Sequence, residues 1–143
     1  MNRNVGYLFV AFILTVSVLF VGVLGQPVQA RCRGVIKSIS VEEAAQLIED
    51  NNNNSDFVIL DVRTPSEFES GALENAVNID FYSETFEEEI AKLDRDTHYL
   101  IYCRSGGRSS RMLELVKSLG FSKVYEMRGG INNWMAKGYP VVK

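Results

Sequence analysis

The run Tyr99-Leu100-Ile101-Tyr102 leads into Cys103 and then Arg104-Ser105-Gly106-Gly107-Arg108-Ser109, after which apolar residues recur at helical spacing. A short unbroken apolar strand that turns through glycines straight into a helix belongs to a layered α/β arrangement, with its functional groups at the carboxyl end of the strand. A cysteine at that junction sits where a thiolate is stabilised. Consecutive N–H groups of the turn converge on one point, the helix adds its N-terminal half-charge, and Arg104 and Arg108 contribute full positive charges. Such surroundings bring a free thiol from about 8.5 down to roughly 3.5–7.5, so the nucleophile is abundant at neutral pH. The same cradle suits the anionic part of a substrate. The alternative is a buried apolar cysteine beside an incidental turn.

The rest of the chain repeats the alternation. Ser40-Val41-Glu42-Glu43 is a capping box, followed by Val41, Ala44, Ala45 and Ile48 on one helical face, up to the polar run Asn51 to Asn54. Phe57-Val58-Ile59-Leu60 is a continuous apolar run that suits a strand covered on both faces, and it leads into Asp61-Val62-Arg63. Thr64-Pro65-Ser66-Glu67 opens a short helix reaching about Ser70. Ala76 to Ile79 is strand-like, and the segment from Thr85 to Leu93 places Phe86, Ile90 and Leu93 on one face and Glu87, Glu88 and Glu89 in water. Met112, Leu115, Val116 and Leu119 form the core stripe of the helix after Cys103, ended by Gly120. Ser122 to Glu126 is a further strand, Gly129-Gly130 a turn, and Ile131 to Lys137 a last helix carrying Trp134 and stopped by Gly138. Alternation of this kind predicts a parallel sheet with helices on both faces, with Asp61 and Cys103 at neighbouring strand ends.

One segment stands apart. Residues 5–24 are nearly all apolar and uncharged; Arg3 precedes them, Gly25 and Pro27 follow, and Val28-Gln29-Ala30 offers a small-residue cleavage pattern. Residues 1–30 are therefore expected to be a secretory signal, with an extracytoplasmic destination such as the periplasm or cell envelope. The alternative is an uncleaved membrane anchor through residues 5–24, whose length approaches a bilayer span. Residues 31–143 suit one domain, with a core from about residue 36 onward. Acidic residues number 18 against 15 basic ones, for a net charge of −3, so nucleic acid is not an expected partner. A bridge between Cys32 and Cys103 is not expected, because Cys32 lies in the tail beside the cleavage site; a transient resolving role for it stays open. With His98 the only histidine and no clustered cysteines, no metal site is expected. His98 falls at a strand start.

Three separated motifs carry a resemblance: Asp61-Val62-Arg63-Thr64-Pro65-Ser66-Glu67-Phe68, then Cys103 to Ser109, then Gly129-Gly130-Ile131 with Trp134, Gly138, Tyr139 and Pro140. In this order, over roughly Ile36 to Lys143, the chain resembles the rhodanese family of sulfurtransferases. The resemblance implies a three-layer α/β fold with a central five-stranded parallel sheet. It implies that Cys103 is the sulfur-carrying nucleophile, that Arg104, Ser105, Gly106, Gly107, Arg108 and Ser109 bind the substrate, and that Asp61 and Arg63 support the site as a salt bridge, a cap or a contact. Two departures stand out. Gly71-Ala72-Leu73 and Asn75-Ala76 replace the frequent Gly-His-Ile and Gly-Ala, and Arg128 precedes the glycine pair where an acidic residue is frequent.

The implied chemistry moves sulfane sulfur from thiosulfate or a similar anionic donor, through a Cys103 persulfide, to a thiol or cyanide. It needs no cofactor, and a monomer is expected. Arg108 is the first candidate for direct contact with the donor; Ser109 is either a hydroxyl donor or a helix cap. Two other readings remain open. One is a non-turnover persulfide carrier or interaction module; the other is a cysteine phosphatase or arsenate reductase, whose Cys-x5-Arg loop is one residue longer than the spacing from Cys103 to Arg108.

Overall fold

The computed structural model describes residues 34–143, and along them strands and helices alternate. The elements are β1 (Val35–Ile39), α1 (Val41–Asp50), β2 (Phe57–Asp61), α2 (Pro65–Glu69), β3 (Val77–Asn78), α3 (Phe86–Ala91), β4 (His98–Tyr102), α4 (Gly107–Ser118), β5 (Lys123–Met127) and α5 (Gly130–Ala136). The signal or anchor expected over residues 1–30, and Cys32, lie outside the described residues. Among the described residues no helix is long and apolar enough to cross a membrane.

Local chemistry sets the helix starts. Ser40 Oγ accepts from the Glu43 amide at 3.1 Å while the Glu43 carboxylate accepts from the Ser40 amide at 2.7 Å, so two orphan donors of α1 are satisfied reciprocally. Thr64 and Glu67 repeat the box at α2, with Pro65 at its first position. Gly106 opens α4 with φ +97 and no side-chain cap, a conformation that a residue with a Cβ resists.

All strand pairs in the sheet are parallel, in the order β1-β5-β4-β2-β3. Alternation sends successive side chains to opposite faces. Leu60, Tyr99, Ile101 and Val124 meet Phe86, Ile90, Met112 and Val116 from α3 and α4. Ile59, Leu100, Tyr102 and Met127 meet Val41, Ala44, Ile131 and Trp134 from α1 and α5. Two apolar layers on one sheet make the three-layer α/β fold, with β4 at its centre and buried on both sides.

The differences from the sequence reading are informative. β1 is a fifth strand where the residues alone pointed to four; it is an edge strand, largely exposed, whose alternation is too weak to read. In α4 the deeply buried stripe is Ser109, Met112 and Val116, while Leu115 and Leu119 are only half-buried. Asn75 has φ +60, a conformation that asparagine is among the few residues besides glycine to adopt readily.

Candidate active site

β2 and β4 are neighbours in the sheet, with Asp61 opposite Tyr102, so their carboxyl ends deliver Asp61 and Cys103 to one edge. The amide of Val62 donates to the Tyr102 carbonyl at 3.0 Å and ties the two exits together. From there the chain turns back over Cys103 and enters α4.

Cys103 is 1 % exposed and sits under its own loop. The Gly106 amide donates to Sγ at 3.1 Å, and the Ser109 hydroxyl lies 3.5 Å away. Burial pushes the thiol up, but the Ser109 hydroxyl and the amides of Ser109, Ser105 and Gly106 together outweigh it, so Cys103 titrates below the ordinary thiol range. The loop shifts the balance toward the thiolate.

The third motif closes the loop from behind. The amides of Ile131 and Asn132 donate to the carbonyls of Cys103 at 2.9 Å and Arg104 at 3.0 Å. This contact needs a glycine at 130, because a Cβ there would stand 2.2 Å from the Cys103 carbonyl oxygen. Gly129-Gly130 is thus more than a turn: it seats α5 against the backbone of the nucleophile.

Outside the loop lies an open depression of about 450 Å³, lined by Glu67, Tyr82, Arg104, Ser105, Gly107, Arg108 and Arg111. Arg104 and Arg111 form no ion pair among the described residues. Arg108, expected to face a donor directly, is committed elsewhere. Its guanidinium makes a two-pronged contact with Glu67 at 2.7 and 2.8 Å and lies 5.5 Å from the centre of the Tyr82 ring. The hydrogen bond to Arg108, with those from Thr64, holds the Glu67 carboxyl at about 2 against the opposing effect of its partial burial.

Asp61 and Arg63 do not reach this depression. The Arg63 side chain donates to Asp61 at 2.6 to 3.0 Å and to the Gly71 carbonyl at 2.7 Å, and both residues are buried. Of the roles open to them, the structure places them as an internal ion pair holding the β2 exit to the loop before β3. The helix-capping alternative for Ser109 is corrected: it lies inside α4, fully buried, and its hydroxyl is 2.9 Å from Glu126 Oε1. Among the described residues no cluster of three or more His, Cys, Asp or Glu side chains could hold a metal ion.

Two site residues were not singled out from the sequence. Glu67 was legible as a cap but not as the partner of Arg108, which lies 41 residues away. Glu126 had a signal: period-two alternation places it on the same face as Val124, which turns a carboxylate inward.

Comparison with known proteins gives a consistent picture. Residues 40–137 match the model of the Rhodanese-like domain. A protein named sulfurtransferase from Allochromatium vinosum is 29% identical over 108 residues, covering 76% of this chain and 96% of that protein. A tRNA uridine(34) hydroxylase of Wolbachia pipientis is 31% identical over 64% of this chain, but this covers only 34% of that longer protein. Among solved structures, a rhodanese-related protein from Thermoplasma volcanium is similar with a TM-score of 0.62 and 32% identity, over 74% of this chain and 97% of that one.

Proposed function

Because this chain belongs to the rhodanese-like domain family, we propose that it is a sulfurtransferase whose Cys103 carries sulfane sulfur from thiosulfate or a similar anionic donor to a thiol or cyanide. The observation that carries this reading is the Cys103 sulfur held beneath an amide and a hydroxyl in a loop that favours its ionised form. The thiolate attacks the outer sulfur of thiosulfate, the S–S bond of the donor breaks, and sulfite leaves with the electron pair. Cys103 then bears a persulfide anion. An acceptor thiolate or cyanide attacks the terminal sulfur, and Cys103 departs again as thiolate. Charge balances in both halves.

Each step has a group to serve it. Gly106 N–H and its neighbouring amides face the negative sulfur in thiolate and persulfide alike, a preorganised arrangement that needs no reorientation during the reaction. Arg104 and Arg111, unpaired among the described residues, draw the anionic donor into the depression. Arg108 sits between the two, with a charge that becomes available to a donor only as its contact with Glu67 loosens.

The apolar segment of residues 5–24 argues first for export, so the reaction is proposed to run outside the cytoplasm, by a monomer, with a retained membrane anchor as the alternative. Sequencing the N-terminus of native protein separates a cleaved signal from a retained anchor. The catalytic proposal is tested by treating the protein with thiosulfate and mapping adducts by peptide mass spectrometry. A one-sulfur adduct on the Cys103 peptide, with sulfite released and the adduct discharged by cyanide, is the expected result. Turnover in which Cys103→Ser equals wild type contradicts it.

A further inference from the structure

The buried polar side chains among the described residues fall into two pairs: Asp61 with Arg63, and Ser109 with Glu126. Charge is neutralised in the first pair. In the second, a carboxylate 2 % exposed lies one oxygen away from the reactive sulfur, and the mechanism above makes no use of it.

The decisive count is of protons. The Ser109 hydroxyl has three acceptors in reach: Glu126 Oε1 at 2.9 Å, the Gly106 carbonyl at 3.2 Å and Cys103 Sγ at 3.5 Å. It has one hydrogen to give. A carboxylate at the shortest distance takes that hydrogen, and the Ser109 oxygen is then left to accept from a Cys103 thiol. If Glu126 is instead protonated, its own O–H turns to Ser109 and the serine hydrogen turns to the sulfur as a thiolate. Two negative charges bridged by one hydroxyl in the interior oppose each other, so the carboxylate and the sulfur compete for the one serine hydrogen.

Of the neighbouring charges, Arg108 is near enough to act on the Cys103 sulfur; the residues packed directly beside Glu126 are neutral. β1 places Ser38 beside Glu126 and β4 places Ile101, both uncharged, and Met112 follows Ser109 on the buried stripe of α4. The cations of these elements engage elsewhere. Arg108 holds Glu67, Arg111 lines the outer depression, the Lys37 ammonium lies over the Tyr125 ring, Lys117 holds Glu114 and Lys123 acts on His98 at the far end of the sheet.

We infer that Cys103, Ser109 and Glu126 share one exchangeable proton, so that Glu126 is a positioning residue that sets the ionisation of the nucleophile through the serine hydroxyl. On activation the Cys103 S–H bond breaks and its proton passes to the Ser109 oxygen as the serine proton passes to Glu126 Oε1. A thiol and a carboxylate become a thiolate and a carboxylic acid, with total charge and oxidation state unchanged. When sulfur is delivered, the departing Cys103 thiolate meets the same hydroxyl, now backed by a protonated Glu126. This last role rests on the sulfurtransferase reading; the shared proton does not.

The test is the pH dependence of Cys103 alkylation by iodoacetamide in the full chain, read on the Cys103 peptide so that Cys32 does not contribute. It requires no sulfur donor, so it separates failure of this inference from failure of the sulfur-transfer reading. Wild type gives two inflections, and Glu126→Gln gives a single one about one pH unit below the main thiol step. In a Ser109→Ala background the same substitution shifts the profile by less than half as much. A wild-type profile with one inflection that Glu126→Gln leaves in place overturns the inference, as does an equal shift with and without Ser109. In unsubstituted protein, the carboxyl carbon resonance of Glu126 shares an inflection with Cys103; a resonance that ignores the thiol step also overturns it.

Discussion

Two arginine–carboxylate pairs lie at the carboxyl edge of the sheet, and they differ in what water does to them. Asp61 and Arg63, two residues apart, are side chains 0 % and 5 % exposed and joined by contacts as short as 2.6 Å. Glu67 and Arg108 meet from α2 and α4 with side chains 27 % and 13 % exposed, at the rim of the depression. The chemistry of the contact is nearly the same. Burial makes the first a fixture, because separating its members leaves a charge in the interior, whereas the second can be exchanged for a ligand with water and anions at hand. Position in the fold, not residue type, decides which arginine is fixed in the interior and which stands where a ligand can reach it.

Breaking the buried pair is the largest expected perturbation. Arg63→Met leaves Asp61 without its cation and is expected to cost about 3–5 kcal/mol, read as a lower denaturant midpoint at unchanged slope. The rim pair should respond far less. Glu67→Gln can keep the reciprocal cap with Thr64 while weakening the ion pair, so stability should fall by about 1 kcal/mol or less. Its larger consequence is kinetic: Arg108 is released toward the depression, and KM for thiosulfate falls. Arg108→Ala should do the reverse, raising KM for anionic donors with little effect on cyanide discharge. If both rim variants leave KM unchanged, the two pairs do not differ in function as claimed.

Acid offers a subtler way to sharpen the contrast. Glu67 titrates at about 2 in the folded protein against an ordinary 4.5, so between these values the unfolded chain binds the extra proton. The stabilisation from this group is therefore complete above pH 4.5 and fades as pH falls toward 2. Glu67→Gln should flatten that part of a stability–pH curve, measured by thermal melting across the acid range.

What could be read in the sequence was what the chain decides locally. The boxes at Ser40 and Thr64 are contacts between residues three apart, and both form as their spacing demands. Cys103 before Gly106 is likewise a short-range instruction, since the amide that meets the sulfur lies three positions on. The legible elements sit within a residue or two of their expected bounds: α5, for instance, starts at Gly130 because the Gly129-Gly130 turn already belongs to the helix entry. Contacts closed by the tertiary fold were not legible. β1 pairs with β5 across most of the domain and carries little alternation of its own. Glu67 meets Arg108 only because α2 and α4 start at the same edge of the sheet. Ser109 reads from the sequence as either a hydroxyl donor or a cap, and only its place in the stripe with Met112 and Val116 turns it inward to the sulfur and Glu126.

The central claim is that Cys103 ionises more readily than a free thiol and loads sulfur because its loop holds it so. The most direct measurement is the rate of one-sulfur loading on the Cys103 peptide from thiosulfate as a function of pH. Loading that reaches half its maximum well below the ordinary thiol value of about 8.5 is the predicted result. No loading at any pH, or loading that rises only above that value, would contradict the account.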